Sequence, residues 1–138
     1  MKRYEQFGHT ADIGVRAFGK TKKELFENAA FAMFDIIADL QGLTGSVTQD
    51  ITLTASSPEE LLVAWLDELL FHFYTKQIIL FKFDITELSD TVLKAKVQGR
   101  PVGANRNRLK TEIKAATYSD LAIKETSEGY SVEIIFDV

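Results

Sequence analysis

Residues 57–76, SPEELLVAWLDELLFHFYTK, leave the fewest structural choices of any stretch in the chain. Ser57 stands where an N-cap belongs, Pro58 takes the first helical position, and Glu60 completes a capping box. Leu61, Leu62, Trp65, Leu66, Leu69, Leu70 and Phe73 then recur at helical spacing. This predicts an amphipathic helix ending near Lys76, whose apolar face has to be covered by another layer.

A second helix is written the same way. Thr21 and Glu24 form a capping-box pattern, and Leu25, Phe26, Ala29, Ala30, Met33, Phe34 and Ile37 follow, predicting a helix from about Lys22 to Asp39. The remaining periodic segments alternate with period two, as strands do. They are Val15–Phe18 closed by Gly19, Val47–Thr54, the β-prone run Ile78–Leu88, Leu93–Val97, LAIKE at 121–125, and the last strand YSVEIIFDV after a Ser-Glu-Gly turn. QGLTGS and GRPVGANRNR read as loops, the latter rich in glycine and arginine. The expectation is an α+β fold: two long amphipathic helices packed on one face of a sheet of about six mostly antiparallel strands, in one domain over residues 1–138.

Composition excludes several classes of function. A net charge of -4 lacks the basic balance that grips nucleic acid by bulk electrostatics. The chain has no cysteine, so disulfides, thiolate metal sites and cysteine nucleophiles are excluded. MKRYEQFGHT has no apolar core of the kind a signal peptide needs, and no apolar run approaches membrane-spanning length. The expected location is the cytoplasm.

Chemistry-bearing residues are few. HTADIG (His9 to Gly14) admits two readings: a metal or catalytic cluster, or a turn in which Asp12 caps its own backbone and Gly14 supplies an unusual φ. A short motif alone favours the turn. His72, between aromatics on the second helix, reads as a helix residue, not a ligand. No serine sits in a nucleophile elbow, so hydrolase triads have no support. Arg100, Arg106 and Arg108 in GRPVGANRNR offer contacts to phosphate or to an acidic partner, against the plainer reading of a solvated loop. In TEIKAATY, Glu112, Lys114, Ala116 and Tyr118 are expected on one strand face. Asp137 and the α-carboxylate of Val138 place two negative charges side by side at a strand end.

HTADIG near the start, SSPEELLVAWLDELLF in the middle, TEIKAATY, and an ending in Phe-Asp-Val occur in this order. Together they resemble the archease family over nearly the whole chain. The resemblance implies an accessory protein and not an enzyme. Archeases assist the tRNA-splicing RNA ligase, promoting guanylylation of its active-site histidine and so its multiple turnover. RNA and GTP would be met only through the ligase, and no membrane partner is implied. The resemblance also implies a divalent cation, calcium before magnesium or manganese, at Asp12, Asp137 and Val138. Lys114, with Glu112 and His9, is expected to serve activation or partner contact. The chain departs from the usual family pattern at Lys110, where many members have glycine, and at Ser119, where many have histidine.

The charge pattern agrees with the implied site. Two like charges about 4 Å apart repel by roughly 4 kcal/mol at an effective dielectric near 20. A hard cation held by oxygen relieves that repulsion. The competing readings are a chaperone-like or RNA-binding module using the arginine loop, and a small metal-dependent hydrolase acting alone.

Overall fold

The computed structural model describes residues 2–8, 12–117 and 121–138. In chain order the elements are β1 (Tyr4–Gly8), β2 (Asp12–Gly19), α1 (Lys22–Ile37), β3 (Val47–Thr54), α2 (Pro58–Lys76), β4 (Ile78–Leu88), β5 (Val92–Pro101), a 3-10 segment (Gly103–Arg108), β6 (Ala115–Ala116), β7 (Ile123–Thr126) and β8 (Gly129–Asp137). No helix among the described residues is long and apolar enough to cross a membrane.

Both helix starts follow their sequence signals. Thr21 Oγ1 accepts the Glu24 amide at 3.1 Å, and Ser57 Oγ accepts the Glu60 amide at 3.1 Å. The reciprocal carboxylates reach one residue further back than a standard capping box: Glu24 accepts from the Lys20 amide, and Glu60 from the Ser56 amide. The α2 helix ends at Gln77, whose left-handed φ of 56° sends its N–H to the Phe73 carbonyl.

The fold class is α+β as expected, but the described residues form eight strands in two sheets where about six in one were expected. The first sheet runs β1-β2-β8-β6, with β7 pairing the same side of β8 further along; the second runs β3-β5-β4. Every pairing is antiparallel. The helices join the two sheets. The α1 helix packs on β2 and on β4, while α2 packs on β3, β4 and β5 of one sheet and β6 of the other. Between the helices, Trp65 is fully buried and its indole N–H donates to the Phe26 carbonyl at 3.0 Å.

Three local expectations need correction. Asp12–Gly14 is strand and not turn, because β2 begins at Asp12 and pairs along its whole length with β8. Gly14 has no positive φ; the glycines that do are Gly42 and Gly129. TEIKAATY is mostly irregular, with only Ala115 and Ala116 in a ladder. Its alternation slips there: Glu112 and Lys114 are exposed, but Ala116 is buried, so the three do not share a face. Tyr118 lies outside the described residues.

A candidate metal site at the β2–β8 end

The β2–β8 register sorts residues by face. Val15 and Ala17 stand opposite Ile134 and Val132, all buried in the core. The other face carries Asp12, Gly14 and Arg16 opposite Asp137, Ile135 and Glu133. The Arg16–Glu133 pair is compensated, with Nη2 3.0 Å from Oε2. The Asp12–Asp137 pair is not. Directly opposite residues on such a ladder bring their Cβ atoms within roughly 5 Å, and like charges there destabilise the pairing. Among the described residues, neither carboxylate has an ion-pair or side-chain hydrogen-bond partner.

Asp137 is flanked on its other side by β6. Ala115 is its partner in that ladder, and the Lys114 amide donates to the Asp137 carbonyl at 2.7 Å. The backbone of Lys114 is therefore fixed beside the last residues, Asp137 and Val138. Its side chain is exposed, and among the described residues the ammonium makes no ion pair. Val138 is 37% exposed. Glu112 is exposed two residues upstream, on the far side of the fully buried Ile113. His9 lies outside the described residues.

The donor chemistry fits a hard divalent cation. Two aspartates stand opposite each other across one ladder with no ion-pair partner among the described residues, and oxygen donors suit calcium, magnesium or manganese. Among the described residues no three His, Cys, Asp or Glu side chains converge on one point. The third anionic donor expected of the site is the Val138 carboxylate.

The other sequence candidates fall into structural roles. His72 is 8% exposed and pairs through Nε2 with Glu68 at 3.2 Å, while its Nδ1 is buried without a partner. Arg108 donates to the carbonyls of Asp39 and Gln41, and Arg100 to the carbonyl and hydroxyl of Thr44. Two of the three loop arginines thus tie down residues 39–44, leaving the exposed Arg106.

Two residues near the site carry no sequence signal of their own. Tyr74 Oη donates to the Ile113 carbonyl at 2.6 Å, and Asp67 Oδ1 accepts from the Ala116 amide at 3.2 Å. Burial raises the Asp67 carboxyl above its ordinary value, and the Ala116 N–H pulls it back. The residue as a whole is exposed, so that desolvation concerns its hydrogen-bonded end.

Known proteins match this chain over its whole length. The model of the Archease protein family matches residues 4–138. The chain is 38% identical to the protein archease of Methanosarcina acetivorans, covering 99% of this chain and 97% of that one. Its fold superposes on the solution structure of protein 1598 from Methanobacterium thermoautotrophicum with a TM-score of 0.81 and 31% identity, each chain fully covered. A Thermotoga maritima crystal structure, described as an archease and possible chaperone, shares the fold with a TM-score of 0.67 at 19% identity, covering 97% of this chain and 96% of that one. The chain belongs to the archease family.

Proposed function

We propose that this protein is a non-catalytic accessory factor of the tRNA-splicing RNA ligase. It binds a divalent cation, calcium foremost, through Asp12, Asp137 and the α-carboxylate of Val138. In the cytoplasm it promotes guanylylation of the ligase and so its multiple turnover in RNA end joining. One observation carries this reading: Asp12 and Asp137 face each other uncompensated across the β2–β8 ladder, and Lys114 is bonded through its backbone to Asp137.

When bound, the cation neutralises the paired carboxylates and fixes their orientation. The remaining work belongs to the chain. The β2–β8 ladder holds the two aspartates in register. The β6 pairing sets the Lys114 backbone beside Asp137, and the exposed ammonium of Lys114, unpaired among the described residues, faces the partner protein together with Glu112; His9 is the third residue assigned to that contact. RNA and GTP are reached through the ligase alone. Two of the three loop arginines bond to backbone and hydroxyl oxygens within the chain, and the net charge is -4, which weighs against a direct grip on phosphates.

The test is a ligase assay with GTP and RNA bearing a 2′,3′-cyclic phosphate and a 5′-hydroxyl. Adding this protein with calcium should raise ligase guanylylation and extend joining past one turnover, while the protein alone leaves the RNA unchanged. No stimulation across a series of calcium, magnesium and manganese concentrations refutes the proposal. Turnover of a phosphoester by the protein alone restores the hydrolase reading.

A further inference from the structure

The stretch around Lys114 is held by little sheet: among its described residues only Ala115 and Ala116 pair in register with β8. Upstream, the Lys110 amide donates to the Ile37 carbonyl at 2.7 Å; downstream, the Thr117 amide donates to the Ile135 carbonyl at 2.9 Å. Between these points, two α2 side chains grip the main chain on either side of Lys114: Tyr74 on the Ile113 carbonyl and Asp67 on the Ala116 amide.

The spacing of the grips is matched. Asp67 and Tyr74 are two turns apart on one stripe of α2, about 10 Å along the axis. An extended stretch from Ile113 to Ala116 spans about 10 Å as well. Burial of Ile113 and Ala116 decides which side of the stretch faces inward. It does not decide how far the stretch slides along the helix; on that side the two α2 hydrogen bonds do, as the Lys114 and Thr117 amides do on the β8 side. Phe71, on the same stripe between the anchors, is 57% exposed, so apolar cover does not lock the stretch at that point. The Lys114 side chain is exposed and makes no ion pair among the described residues, so the reach of its ammonium is set by its backbone.

We infer that Asp67 and Tyr74 are positioning residues, a two-point clamp from α2 that sets where Lys114 stands relative to the Asp12–Asp137 pair. The clamp acts through Lys114 and rests on the proposed role of that lysine toward the ligase. Neither anchor touches the cation or the partner in this role.

The test compares full-length Asp67→Ala, Asp67→Asn and Tyr74→Phe with the wild type. Asparagine keeps an oxygen acceptor for the Ala116 amide; alanine does not. Amide hydrogen exchange at residues 113–117, calcium affinity by calorimetry, and stimulation of ligase guanylylation are read on each. Asp67→Ala and Tyr74→Phe should speed exchange in that stretch and cut stimulation about tenfold or more, as small misplacements of acting groups do. Calcium affinity should stay near wild type, and Asp67→Asn should restore both exchange and stimulation. Faster exchange with full stimulation overturns the inference, as does unchanged exchange in the Ala and Phe variants. So does an Asn variant as impaired as the Ala variant. If the wild type itself fails to stimulate, the proposed function falls, and exchange alone then decides whether the clamp exists.

Discussion

The ring of Phe7 lies over Gly14, its cross-strand partner in the β1–β2 ladder, and fills the space a Cβ there would need. This is why a glycine stands in the middle of a strand two residues after Asp12. Gly14→Ala should displace the ring, the far end of a half-buried side chain, and cost about 1 kcal/mol, the low end for overpacking. The cost should fall in a Phe7→Ala background, a coupling that a double-mutant cycle of urea midpoints measures. Equal costs in both backgrounds would show that the ring is not the obstacle.

Lys114→Ala should leave the melting temperature near wild type, since the side chain is exposed and makes no ion pair among the described residues. Multiple-turnover ligase assays should show stimulation sharply reduced. An unchanged rate would remove Lys114 from the acting groups and leave only its backbone bond to Asp137.

What the sequence made legible was whatever depends on neighbours in the chain. The α2 bounds follow from Ser57, Pro58 and the apolar period up to Phe73, and β3 from the alternation between Val47 and Thr54. The β1 strand leaves no local signal because Tyr4–Gly8 is an edge strand, nowhere fully buried, and shows no clean alternation. The start of β2 is hidden because His-Thr-Ala-Asp reads as turn chemistry, and Gly14 answers to the Phe7 ring, not to φ. Division into two sheets depends on which strands pair across α1 and α2, which no local pattern encodes. Local pattern marks the two aspartates separately and the family resemblance assigns them to one cation, but their direct opposition is a property of the β2–β8 register. Asp67 and Tyr74 were invisible for a simpler reason: their partners are backbone atoms, which carry no residue-type signal.

Glu27 on α1 accepts the Ile85 amide of β4 at 2.9 Å and so joins helix to sheet. Its carboxyl is raised above the ordinary 4.5, by burial first and against the opposing pull of the Ile85 N–H. A raised carboxyl favours the protonated folded state. Its contribution is therefore full below the unfolded value and is lost as pH rises through the folded one. Glu27→Gln keeps the acceptor without the charge, so it should gain stability relative to wild type as pH climbs from about 4 to 8, by no more than about 1 kcal/mol. Glu27→Ala should instead lose about 1–3 kcal/mol, because the buried Ile85 amide is left without its acceptor. A wild-type-minus-Gln difference that stays flat across the range would show that ionised Glu27 carries no penalty.

The end of β8 provides the sharpest test of the cation site. Asp12→Asn and Asp137→Ala each remove one of two facing charges, while the inward residues Val132, Ile134 and Phe136 remain buried in the core. Each variant should keep its circular dichroism spectrum and lose calcium affinity by about tenfold or more, the equivalent of ~1.4 kcal/mol. Adding residues after Val138 would turn an anionic oxygen donor into a neutral amide and crowd the strand end, where the Lys114 amide already bonds the Asp137 carbonyl. Protein extended there should bind calcium more weakly than protein extended before Met1, and should stimulate the ligase poorly. Because both forms keep Asp12 and Asp137, the comparison reads the strand end alone. Equal affinity in the two forms would exclude the Val138 carboxylate and leave a site of two aspartates, whose remaining positions on the cation would go to water or to the partner protein.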